Sequence, residues 1–124
     1  MSLSAAFSLV VLTLNAGGPN RFPRAWPQRR DAIAADLKTE GPALAAFQEI
    51  RRAEDLTALK AAAGHGFDAF DPDLGLAVTS RFPILSRESR DLGGGWGVLS
   101  ARVADGKLEF DAYSVRLKPE DGPA

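Results

Sequence analysis

Cysteine is absent from this 124-residue chain, which excludes disulfide staples, cysteine zinc sites and a thiol nucleophile and leaves the compartment open. An excess of either charge is missing too. Fifteen Lys and Arg face sixteen Asp and Glu, for a formal net charge of -1, so nothing global draws the chain toward nucleic acid or a membrane. Long apolar runs are also lacking. The stretch Ser8 to Leu14 is far short of the roughly 20 residues a membrane span needs. No Lys or Arg precedes it, and Asn15, Gly17, Gly18 and Pro19 end it abruptly. It reads as a buried strand covered on both faces rather than a signal peptide. With no targeting signal evident, the cytoplasm is the default.

Several signatures of chemistry are missing as well. No Gly-x-Gly-x-x-Gly follows the first strand, and no Lys-Ser or Lys-Thr follows the three glycines at 93 to 95, which read as a flexible connection. Ser80 and Ser86 lack a Gly-x-Ser-x-Gly setting. Asp68, Asp71 and Asp73 lack the glycine and closing glutamate of a calcium loop and read as a solvated turn. His65 is the sole histidine, lodged between Gly64 and Gly66. It reads as a surface group, since acid/base work would require a positioned partner that the sequence does not identify.

What is present is ordinary globular material: 45% hydrophobic and 25% charged residues, enough for one small domain with a core. Phe7 to Leu14 predicts a strand. Pro27 stands at a first helical position, and Ile33 and Leu37, with Trp26 seven residues before Ile33, give one apolar stripe to a helix over about 27 to 40, stopped by Gly41 and Pro42. Ala43 to Gln48 reads as a second strand, and a helix over about 52 to 63 aligns Leu56, Leu59 and Ala63. Short strands follow at 67 to 70, 74 to 79 and 84 to 89. Asp105-Gly106 between 97–104 and 107–117 is the clearest hairpin signal. The order predicts a layered α/β protein. Residues 1 to 117 form the domain and 118 to 124 a polar tail.

Glu49 follows an apolar strand, and Asn15 ends the first strand in the same manner. Open α/β sheets place ligands at such carboxyl ends, where an amide oxygen and a carboxylate could converge on a hard cation such as magnesium. Equally, Asn15 is a turn-former and Glu49 a solvated strand-end charge. Arg29 and Arg30 lie in a stretch, 21 to 30, with four arginines and no acid. Guanidinium groups bind phosphate bidentately, but these two also suit the solvated first turns of a helix.

Four segments, Leu12-Thr-Leu-Asn15, Trp26-Pro-Gln-Arg-Arg30 with Ile33, Ala43-Leu-Ala-Ala-Phe-Gln-Glu49 and Gly75-Leu-Ala-Val-Thr-Ser-Arg-Phe-Pro-Ile84, resemble in order the motifs of the endonuclease/exonuclease/phosphatase superfamily, of which deoxyribonuclease I is a member. The resemblance covers the N-terminal half of the usual domain. It implies part of a four-layer α/β/β/α sandwich. It further implies Glu49 as the catalytic ligand of Mg2+, or Mn2+, with Asn15 beside it contributing to the metal and phosphate site, and a metal-assisted attack of water on a phosphate ester. Ser80 and Arg81 would support the site region. The chain departs from the pattern at Tyr113-Ser-Val-Arg-Leu117, where Arg116 holds the place of a histidine; arginine can bind phosphate but cannot shuttle a proton near neutral pH. The later Asp-x-Asn motif and the closing Asp-His pair do not occur. The expected activity is therefore divalent-metal-dependent phosphoesterase chemistry, incomplete in this chain. The alternative is a non-catalytic metal- or phosphate-binding relative, or a half-domain needing a second copy or a complementing half. The substrate is a phosphate ester, with nucleic acid possible though not indicated by charge.

Overall fold

A computed structural model describes residues 9–17, 25–106 and 108–117. The expected tail at 118 to 124, the first residues of the expected N-terminal strand and the arginines at 21 and 24 lie outside the described residues. Two sheets stack face to face. Strand β1 (Val11–Asn15), helix α1 (Trp26–Glu40), strand β2 (Leu44–Gln48), helix α2 (Ala53–Ala63), strand β3 (Phe67–Asp71) and strand β4 (Leu76–Ser80) build the first sheet and its helical cover. Strands β5 (Ile84–Gly93), β6 (Trp96–Asp105) and β7 (Leu108–Arg116) form the second sheet, in that order.

The first sheet has the order β1-β2-β4-β3, with β1 parallel to β2 and the other pairs antiparallel. The parallel pair requires a crossover, which α1 supplies. Its limits follow the sequence signals. Pro27 lies in the first turn, and Gly41 at φ 55° caps the end by donating its N–H to the Leu37 carbonyl. Helix α2 ends with Gly64 at φ 71°; the Gly64 amide reaches Ala61 and the His65 amide reaches Lys60, a Schellman closure.

Period-2 alternation divides the core. Ala45 and Phe47 face the helices with Trp26, Leu37, Leu56 and Leu59, while Leu44, Leu76 and Val78 face Leu99, Ala101 and Val103 of the second sheet. Each large side chain fully buried in this way contributes about 1.5–3 kcal/mol. The layers are thus helices, sheet, sheet. Among the described residues no helix covers the outer face of the second sheet.

Three local expectations are corrected. β1 is not covered on both faces: it is the edge of its sheet, and its burial alternates, with Val11 55% exposed on the face turned toward the second sheet. Gly93, Gly94 and Gly95 are not a loose connection but the tight turn of the β5–β6 hairpin. Gly93 pairs with Trp96, and all three have positive φ, a backbone that glycine adopts without steric cost.

His65 is not a surface group. It is buried, 6% exposed, with Nε2 2.7 Å from the Pro42 carbonyl and Nδ1 2.8 Å from the Thr79 hydroxyl. A carbonyl only accepts, so Nε2 carries the proton and the neutral Nδ1 accepts from Thr79. The imidazole therefore joins the α1–β2 connection, the α2–β3 connection and β4. Burial lowers its pKa from the ordinary 6.5; the Pro42 hydrogen bond works in the opposite sense and the Arg81 charge reinforces the lowering. A lowered pKa means that the unfolded chain takes up this proton first. The contribution is present above pH 6.5 and is lost as pH falls from 6.5 through the folded value. Urea unfolding at pH 7.5 and pH 5 is expected to show lower stability at pH 5, and His65→Leu, which cannot titrate, a smaller drop between the two.

Candidate functional site

β1 and β2 run parallel in a register that sets Asn15 beside Gln48, so both strands deliver their last residues to one end of the sheet. There the chain breaks from extended geometry. Glu49 has φ 62° and is the one positive-φ non-glycine residue among those described. Such a left-handed residue costs about 1–3 kcal/mol and persists where surrounding contacts determine it.

Those contacts are specific. The Ala16 amide donates to the Gln48 carbonyl at 2.9 Å, and the Ile50 amide donates to the Gly75 carbonyl at 3.1 Å. The peptide units on the two sides of Glu49 are thereby fixed. The turn places Ile50 in the helix-side core, fully buried, and leaves the Glu49 carboxylate at the sheet end. Asn15 meets it there: Nδ2 donates to Glu49 Oε1 at 3.2 Å, while Asn15 Oδ1 accepts from the Gly17 amide at 3.0 Å. Asn15 is thus both the turn-former and the partner of Glu49. In this arrangement its amide oxygen serves the turn and its NH2 group orients the carboxylate.

Arg29 lies at the same end. Its guanidinium sits 5.1 Å from the Trp26 ring centroid and donates to the Ala16 carbonyl at 2.8 Å. It lines an open cleft of about 460 Å3 together with Asn15, Gly17, Ile33 and Asp36. Arg30 is placed otherwise. It donates to Asp55 Oδ1 at 3.0 Å across the seam between α1 and α2, where the Asp55 side chain is 3% exposed. Its place in the arginine stretch gave no sign of this, because Asp55 is 25 residues away.

Arg116 comes from the second sheet, on the inner face of β7. Its Nη1 lies 3.4 Å from the Leu74 carbonyl, in the β3–β4 turn whose Gly75 also binds Ile50. Sequence reasoning missed Ser114, two residues earlier on the same face. Fully buried, it donates to the Phe47 carbonyl at 2.8 Å and accepts from Gln48 Nε2 at 3.0 Å. No motif marks it; the signal available was a lone hydroxyl in the otherwise apolar row Phe110, Ala112. Ser80 and Arg81 do not lie beside Glu49. β4 runs antiparallel to β2, so Leu76 pairs with Gln48 and Ser80 with Leu44, at the opposite end.

Among the described residues no group of three or more His, Cys, Asp or Glu could hold a metal ion. The local donor set is a single carboxylate with an amide beside it. That suits Mg2+, which keeps several waters and binds through one or two carboxylates plus substrate phosphates. No helix among the described residues is long and apolar enough to cross a membrane.

Two stacked sheets with helices outside one of them, and a carboxylate presented at a strand end, make up a mixed α/β layered fold. The chain belongs to the endonuclease/exonuclease/phosphatase family, whose sequence pattern matches residues 12–116. No curated protein matches it. The solved structure described as humanized D. rerio TDP2, carrying 14 mutations, is similar in fold, with a TM-score of 0.73 at 16% identity over 90% of this chain. This chain spans about half of that structure, 51% of its length.

The placement of Arg30 generates a test. Arg30→Ala strips the buried Asp55 carboxylate of its cation and is expected to cost about 2 kcal/mol of stability in urea unfolding. Binding of inorganic phosphate to the folded protein is expected to stay as in the parent.

Proposed function

We propose that this chain supplies the metal-holding end of a divalent-metal-dependent phosphoesterase site, with Glu49 as the ligand of Mg2+ or Mn2+. The observation that carries the proposal is the left-handed backbone of Glu49, at the end of the central strand, with its carboxylate held by Asn15. When bound, such an ion offsets charge developing on phosphoryl oxygens and lowers the pKa of bound water. The chain's own groups do the rest. Asn15 keeps the carboxylate oriented. Arg29, presented at the cleft beside Asn15, and Arg116, from the facing sheet, offer N–H donors to phosphate oxygens. Arg30 serves the helix seam. The substrate class is a phosphate ester.

A second reading is favoured by one observation. The sole histidine is buried with both nitrogens engaged at the other end of the sheet, so this chain brings no imidazole to Glu49. The 124 residues would then bind metal and phosphate without turnover, the remaining groups coming from a complementing polypeptide or a second copy. The edge of β7, which pairs with β6 alone among the described residues, and the exposed Tyr113, Val115 and Leu117 support such a partner.

Titration with Mn2+, followed by electron paramagnetic resonance, is expected to show binding that Glu49→Ala abolishes and Asn15→Ala weakens about tenfold. Binding unchanged by Glu49→Ala would sink the proposal. Bis(4-nitrophenyl) phosphate with Mg2+ or Mn2+ decides between the two readings. Turnover by the parent that Glu49→Ala removes indicates a working site; none above solvent background indicates binding alone.

A further inference from the structure

We infer that Ser114 is a positioning residue for Glu49, acting through Gln48 and the Phe47 carbonyl, an inference that rests on the metal-binding role proposed for Glu49. The inner face of β7 is otherwise built for apolar contact, with Phe110 and Ala112 packed against the core between the sheets. A hydroxyl buried in that row is stabilising only if it is fully bonded. Ser114 is: one hydroxyl donates to the Phe47 carbonyl and accepts from the Gln48 amide. It thus grips two successive residues of β2 immediately before the left-handed one.

The consequence follows from which bonds set φ at residue 49. Together with ψ, that angle relates the Gln48–Glu49 peptide unit to the Glu49–Ile50 unit. The second is fixed by Gly75 and the first by Ala16. Ala16, itself buried in the helix-side core, follows β1 and holds the turn from within the first sheet. Ser114 supplies a grip from the other sheet. It holds the approach to Glu49 from a fully buried position on the facing sheet. The same strand carries Arg116 two residues further along the same face. The hydroxyl thereby ties the two sheets together where the carboxylate of one and the guanidinium of the other meet the proposed substrate.

The test compares Ser114→Ala, which removes the bridge, with Ser114→Thr, which keeps the hydroxyl. Three readouts are taken on each: melting temperature, Mn2+ affinity below the melting range, and the NMR coupling and carbon shifts that report φ at Glu49. Ser114→Ala is expected to lose about tenfold in Mn2+ affinity and to shift Glu49 away from left-handed values. Ser114→Thr is expected to retain both. A merely structural residue would lower the melting temperature of Ser114→Ala while leaving affinity and φ as in the parent, and that result overturns the inference. If the parent itself binds no Mn2+, the metal role of Glu49 fails, and the NMR arm still decides. Loss of the left-handed backbone in Ser114→Ala then upholds positioning; its retention refutes it.

Discussion

β2 runs through the middle of the first sheet with Leu44 to Phe47 all buried, and Glu49 follows it at φ 62°. Two requirements meet at that residue. Ile50 has to turn back into the helix-side core, where it is fully buried, and a charged side chain has to stay at the sheet end. A left-handed turn satisfies both within one residue. Its strain, about 1–3 kcal/mol, is comparable to the gain from burying one large apolar side chain. The bonds from Ala16, Gly75 and Ser114 hold it from three directions. The neighbouring elements at this end are placed by the need to reach those bonds.

The β3–β4 turn shows this dependence. Besides receiving the Ile50 amide at Gly75, it accepts hydrogen bonds from Arg51 at Pro72 and Asp73 and from Arg116 at Leu74. Asp71 braces it from within by accepting the Leu74 amide. The Ser89 hydroxyl, and then the Leu74 amide, hold the Asp71 carboxyl below its usual range. Leu74 also presses onto Gly97 of β6 so closely that a Cβ there would lie 2.9 Å from a Leu74 methyl. A side chain at Gly97 would have to displace that Leu74 methyl. The turn is the piece through which Glu49 on one sheet and Arg116 on the other share a common frame.

Both helices, the order of the strands and the Asp105-Gly106 hairpin were legible because each rests on local signals: helical spacing of Trp26, Ile33 and Leu37, stop glycines at 41 and 64, and turn chemistry. Residue types at strand ends brought Asn15 and Glu49 forward as a pair, and the register of β1 on β2 brings them to 3.2 Å. What stayed hidden depends on partners distant in sequence. His65 looked exposed because glycines flank it, yet its acceptor is 23 residues away and its donor 14. Arg30 looked available until the α1–α2 seam supplied Asp55. Ser114 reaches back 66 residues to Gln48. Strand propensity describes the strand holding that hydroxyl, not what stands across the gap between two sheets.

Most of the exposed large apolar side chains belong to the second sheet and its end, Leu85, Leu92, Trp96, Leu108, Tyr113, Val115 and Leu117. Among the described residues β7, nine residues long, has β6 on one side alone, and the mouth between the sheets beside it is a cavity of about 210 Å3 lined by Val11, Val78, Phe110 and Tyr113. An open edge of that length is normally paired, covered or charged. Here its outward-facing end carries Tyr113 and Val115, 58% and 42% exposed. The same strand holds Ser114 and Arg116, so its order and the geometry at Glu49 are not independent. A strand added along that edge would fix the backbone of β7 by hydrogen bonds on both sides, and with it the hydroxyl that grips Phe47 and Gln48.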